Sequence, residues 1–245
     1  MIFFRNDLLD TTYSEIYHAL GGLMTWSKWD WKAGEAAFRK AVELNPKNAD
    51  AHSTFSHLLG ILRRSDEALK HIEIALELDP LNPKILSFYG GVLGDAGRYD
   101  DAIKAYQKAL DLNPTQGVAG NIIGALYAAG REKEAVEMQR DRWKNDSERL
   151  KTFDEGYAEA GWPGAHKRVG DLYVKRSETS YVGPGLIANC YYQAGDMDKT
   201  LYWLEMAYKE HGPNLPYAFG PKNYILLKDD PRYQELARKM NLPYK

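Results

Sequence analysis

An all-α solenoid of antiparallel helix pairs is the fold class that three observations predict. Pro46, Pro80 and Pro114 stand 34 residues apart. Each closes nearly the same phrase: Val-Glu-Leu-Asn-Pro, Leu-Glu-Leu-Asp-Pro, Leu-Asp-Leu-Asn-Pro. Between the prolines, apolar residues recur three and four apart, the spacing of one helix face, and a short polar break divides each interval in two. A fixed period of this length means one supersecondary unit used repeatedly, so each unit contacts only its neighbours and the stack grows as one body.

The elements follow in chain order. Helical pattern begins near Thr12, and the first pair is expected over 15–48, the second over 49–82 and the third over 83–116. In the third, Leu86, Tyr89, Val92 and Leu93 form one stripe, and Asp95-Ala96-Gly97-Arg98 ends that helix, with Gly97 suited to a left-handed residue. Ala102, Ile103, Tyr106, Ala109 and Leu110 form the second stripe, and Pro114 cannot continue it. The fourth pair, 117–148, is weaker: Gln139 and Arg142 stand where apolar residues are expected, and no proline ends it. Residues 149–180 keep helical periodicity without the signature, with Gly161-Trp162-Pro163-Gly164 read as a turn. A further pair covers 181–214. The stretch 215–245 reads as a cap, irregular and proline-rich to Lys228, then a helix started by Asp230-Pro231.

The repeated unit resembles the tetratricopeptide repeat, whose 34-residue pattern is W-x2-L-G-x2-Y…A-x3-F…P. Leu20-Gly21-x2-Met24, Phe55-Ser56-x2-Leu59, Tyr89-Gly90-x2-Leu93 and Ile123-Gly124-x2-Tyr127 match its first half. Gly34-x3-Phe38, Ala68-x3-Ile72 and Ala102-x3-Tyr106 match its second, with Ala41, Ala75 and Ala109 following. Ile187-Ala188-x2-Tyr191 and Thr200-x3-Leu204 repeat both halves. The small residues let two helices approach and the large one fills the gap beside them. The resemblance implies a right-handed superhelical solenoid whose first helices line a concave groove. Trp29-Asp30-Trp31 and Leu227-x-Asp229-Asp230-Pro231-Arg232-Tyr233 are similar to the repeat regions that follow winged-helix, nucleotide cyclase or protein kinase domains in bacterial regulators.

Composition narrows the function classes. Of 245 residues, 44% are hydrophobic and 27% charged, and the net charge is −2, so no global basic field would hold nucleic acid or an anionic membrane. Cys190 is the one cysteine, which excludes an intrachain disulfide and a multi-cysteine metal site. The N-terminus is interrupted by Asp7 and Asp10 and is no signal peptide, and the best apolar run, Ile122 to Ala129, is too short to span a bilayer. The chain reads as cytoplasmic and bacterial, and as a piece of a longer protein. The histidines show no His-Glu-x-x-His arrangement, Cys190 reads as a packing thiol, and the pairs Asp100-Asp101 and Asp229-Asp230 read as helix caps. No nucleophile, base and orienting group stand together, so neither an enzyme nor a metal or cofactor is expected.

Binding through the groove is the expected role. Counting from the matched motifs, the groove positions implied by the resemblance are His18, Thr25 and Trp26, then Ser53 and His57, then Ser87, Gly91 and Asp95, then Asn121 and Ala125. Chaperone-tail-binding relatives use lysine, arginine and asparagine at such positions, and only Asn121 matches. Small neutral side chains suit a helix or an apolar peptide of a protein partner instead. The alternative is the regulatory or dimerising portion of a larger signalling protein, with a homo-oligomer as its form. Gly90, Gly91 and Gly94 share one helix; either tight helix packing or a ligand's backbone explains them.

Overall fold

The computed structural model describes residues 2–115, 117–220 and 224–243, with residues 2–10 described by backbone alone. Its twelve α-helices leave no β-strand among the described residues. Contacts divide the chain into two compact units: residues 2–136 with Gly220 and 241–243, and residues 137–219 with 224–240.

In the first unit three helix pairs follow one another: α1 (Ile2–Gly22) with α2 (Trp31–Leu44), α3 (Ala49–Ile61) with α4 (Ser65–Leu78), and α5 (Pro83–Asp95) with α6 (Tyr99–Leu112); α7 (Ala119–Ala128) packs on α6, and the division into units falls within α8 (Glu132–Trp143). The helix starts are chemically explicit. Asn48 accepts from the Ala51 amide at 2.9 Å, and Asn82 from Lys84 at 3.1 Å, so each replaces an unmade helical bond. Asp30 does the same for α2. Asp100 and Asp101 lie in the first turn of α6 instead of capping it; the N-cap is Arg98, which grips Asp101 at 2.8 Å. These acids complement the helix dipole. Gly97 and Gly130 end first helices at φ of 79° and 76°. Arg63 does so at φ 58°, which explains the break without a glycine in the second pair.

Small residues set the spacing within each pair. A Cβ at Gly21 would lie 2.7 Å from the ring of Phe38, and one at Gly90 would lie 2.7 Å from that of Tyr106. Ala41, Ala75, Ala102 and Ala109 have no exposed surface. Ala102→Leu or Ala109→Leu is therefore expected to cost roughly 1–3 kcal/mol in urea unfolding, and unchanged midpoints in both would contradict this packing.

His52 and His71 join α3 to α4. The Pro46 carbonyl can only accept, so His52 donates to it from Nε2 at 3.1 Å, which leaves Nδ1 to accept from His71 Nδ1 at 2.9 Å. His52 is buried, so it is a core group and not a surface or groove histidine.

The first helix starts at Ile2, ten residues before the apolar pattern, and passes into a π-helical turn, Leu23–Ser27. That turn adds one residue relative to the α3 and α5 copies. It turns Thr25 inward against Gly34, where it is wholly buried.

The second unit holds α9 (Ser147–Ser177), α10 (Pro184–Gln193), α11 (Met197–Lys209) and α12 (Pro231–Lys239). The expected turn inside α9 is sharper than four residues. The break lies at Ala160 and Gly161 (φ 61°), and Trp162, Pro163 and Gly164 already belong to the next helix, whose first turn tolerates proline. Tyr191 donates to Asp171 at 2.7 Å, tying α10 to α9. Cys190 is buried as expected, and burial pushes its thiol up to about 12. Short 3₁₀ turns at Leu215–Phe219 and Ile225–Leu227 precede α12, which Asp230 caps. Phe219 stacks on Tyr233 at 4.5 Å, and Tyr233 donates to the Ala218 carbonyl at 2.7 Å.

Candidate functional site

The first helices of the first unit share one open face, and its centre is aromatic. Trp26 lies 6.2 Å from His57, and His57 lies 4.0 Å from Phe88, so the π-helical turn after α1 is bridged ring to ring with α3 and α5. Lys84 sits 5.9 Å over Phe88 and pairs with Asp50 at 3.0 Å. His18 hydrogen-bonds Thr54 at 3.0 Å. Tyr106 rises from α6 beneath this face and bonds Asn121 of α7.

Electrostatics keep the face neutral. Burial, then Lys84, pushes His57 down to about 4, and the same two causes lower His18. Both imidazoles are uncharged at neutral pH. The Lys84 charge is met by Asp50, so an uncharged ligand surface would meet no unpaired field along this line.

Glycines widen the face. His57, Gly91 and Gly124 each stand six residues before the left-handed residue that ends their helix, Arg63, Gly97 and Gly130, so they share one position; the sequence motif instead aligns Gly124 with Gly90. A Cβ at Gly91 would meet only the Tyr106 hydroxyl, at 3.7 Å, and one at Gly124 would meet nothing within 4 Å. Gly94 is equally open. Gly90, with the Tyr106 ring 2.7 Å away, is the glycine that helix packing requires. Helix glycines cost about 0.5–1 kcal/mol each, and at Gly91, Gly94 and Gly124 no local packing offsets that cost.

The sequence-derived positions divide accordingly. His18, Trp26, His57, Ser87, Gly91 and Asp95 are half-buried, and Asn121 is exposed. Thr25, Ser53 and Ala125 are buried; Ser53 donates to the Asp50 carbonyl at 3.0 Å, so its hydroxyl is spent on its own helix. Phe88 and Lys84 were missing from those positions. Their signal was available: they stand three and seven residues before Gly91, on the same helix side.

No cluster of three or more histidine, cysteine, aspartate or glutamate side chains suited to a metal is present among the described residues. No described helix is long and apolar enough to cross a membrane.

The family model described as tetratricopeptide repeat matches residues 57–117 and 92–140. No curated protein matches. Among solved structures, PilF of Pseudomonas aeruginosa aligns at 20% identity and a TM-score of 0.51, over 94% of this chain and 99% of that one. PilW, described as a widely conserved type IV pilus biogenesis factor, aligns at 18% identity and 0.51, over 95% and 94%. An O-GlcNAc transferase mutant from Thermobaculum terrenum aligns at 22% identity and 0.51; it covers 56% of this chain, which spans only 26% of that one. At these identities the likeness is one of fold alone.

Proposed function

We propose that this chain, whose residues 57–140 match the tetratricopeptide-repeat model, is a non-catalytic scaffold that holds a peptide or helix of a partner protein along its first-helix face. The observation that carries this reading is the pairing of uncovered glycines with an aromatic line. Gly91 and Gly124 have no packing need to be glycine, and they stand on α5, which carries Phe88 at the end of the line from Trp26 through His57, and on α7, which follows it. Missing Cβ atoms let a ligand's backbone approach, and the rings supply apolar contact at low entropic cost. The neutral histidines and the paired Lys84 favour an apolar or weakly polar segment over a carboxylate tail.

Selection of a random peptide library on the purified chain tests it. Enriched peptides are expected to be rich in apolar residues and to bind with weak salt dependence. Gly91→Leu should fold and lose about tenfold or more in affinity, because its side chain occupies the ligand's place. Gly91→Ala should leave folding intact or improve it by about 0.5–1 kcal/mol. If Gly91→Leu binds selected peptides normally while the exposed α6 change Lys104→Glu abolishes binding, the face is wrong. The dimerising alternative draws on a different surface, the outer side of α1.

A further inference from the structure

The outer side of α1 carries Tyr13, Ile16, Leu20 and Leu23, which are 51%, 55%, 37% and 48% exposed. Their spacing is three, four, three, the seam spacing of paired helices. The opposite side of the same helix is already used: Ser14 donates to the Ala41 carbonyl at 2.9 Å, and Gly21 lies against Phe38.

The later pairs show what such a side normally meets. With Gly21, Ser56 and Gly90 as equivalent positions, Ile16, Leu20 and Leu23 correspond to Ala51, Phe55 and Leu58, and then to Ile85, Tyr89 and Val92. In α3 those residues are at most 1% exposed, and Phe55 stacks on Phe38 of the preceding second helix at 6.0 Å. Ile85 and Val92 are buried likewise. The α1 stripe is therefore a face built to receive a helix.

The start of α1 differs from the starts of α3 and α5. Tyr13 corresponds to Asn48 and Asn82, the N-cap residues at which the chain turns in from the previous second helix. In α1 the chain does not turn there. The helix continues back to Ile2, giving 21 residues against 13 in α3 and in α5. The connection that would bring a neighbouring helix from the same chain onto the stripe is replaced by straight helix.

We propose that the stripe is covered by the same stripe of a second copy, so that the protein is a two-fold dimer through α1. A two-fold contact is isologous, which needs a self-complementary surface, and an uncharged apolar seam meets that need. The stripe from Tyr13 to Leu23 offers a seam on the order of 15 Å long. The dimer leaves the aromatic face on the inner side of the pairs free and does not depend on its having a ligand.

Analytical ultracentrifugation of the intact chain at tens of micromolar tests it. The expected species has twice the 27.9 kDa of one chain. Ile16→Lys, and independently Leu20→Lys, should weaken association by about 100-fold and yield monomer. Both sites are exposed in the single chain, so helicity by circular dichroism should not change. Leu226→Ser, at a 69% exposed residue of the second unit, should remain dimeric. A monomeric wild type overturns the proposal, as does a dimer that survives in either folded lysine variant.

Discussion

Gly156→Ala is expected to destabilise the second unit by about 3 kcal/mol, the upper end of what overpacking costs. A Cβ at Gly156 would stand 2.5 Å from the Gly164 carbonyl oxygen and 2.8 Å from the Ala165 Cα. In return, a Cβ at Gly164 would strike the Gly156 carbonyl oxygen and sit 2.8 Å from the Ala160 Cβ. The obstacles are backbone, so no rotamer change relieves them; the two halves of α9 would have to separate. Gly90→Ala meets the ring of Tyr106, a side chain that can shift, and should cost less. Gly124→Ala meets nothing and should gain about 0.5–1 kcal/mol of helix stability. Urea unfolding of the three variants orders these effects. A Gly156→Ala midpoint equal to wild type would mean that the halves of α9 are not in the contact described.

The same crossing explains what the sequence concealed. Residues 149–180 look featureless because the signature there is written in other residues. Ala165, Val169 and Leu172 have the spacing of Ala102, Tyr106 and Ala109, and they are buried, but a valine replaces the large ring and a leucine the last alanine. Close approach is achieved by glycine on both helices in place of glycine against a ring. The helix ends of the first three pairs were legible because each rests on local chemistry: proline, asparagine caps, and Gly97 in a left-handed turn. Arg63 adopts that same turn without the residue type that announces it.

The face was legible in outline and not in detail, for a geometric reason. His57, Gly91 and Asn121 follow from counting along matched motifs. Thr25 does not, because the π-helical turn at Leu23–Ser27 shifts the count by one residue and so rotates the side chain inward. Phe88 was passed over because an aromatic residue at helical spacing reads as core. In the folded chain Phe88 is half-buried and continues the line from His57. Gln139, polar in an apolar register, is buried all the same at 3% exposure.

Acidification from neutral pH to about pH 4 should weaken the fold through its buried histidines, and His166 carries the largest single share. Its imidazole is 8% exposed, 4.4 Å from the ring of Trp162 and 6.1 Å from that of Phe153, and neither nitrogen has a hydrogen-bond partner. Burial alone pushes it from 6.5 down to about 4. Above 6.5 both the folded and unfolded chains hold this histidine neutral, and its contribution is fully present. Between 6.5 and about 4 the unfolded chain binds a proton that the folded chain does not, so stability falls as pH falls. The loss is on the order of 3 kcal/mol over that window. His57 and His71 are also pushed down to about 4, so they act in the same direction, but both are partly open to solvent and count for less. His166→Phe keeps an aromatic ring in the site and removes both unsatisfied nitrogens. It should be the more stable protein, by a margin that grows as the pH is lowered. Parallel pH profiles for the two proteins would refute the assignment, and so would an imidazole resonance of His166 titrating near 6.5 in the folded state.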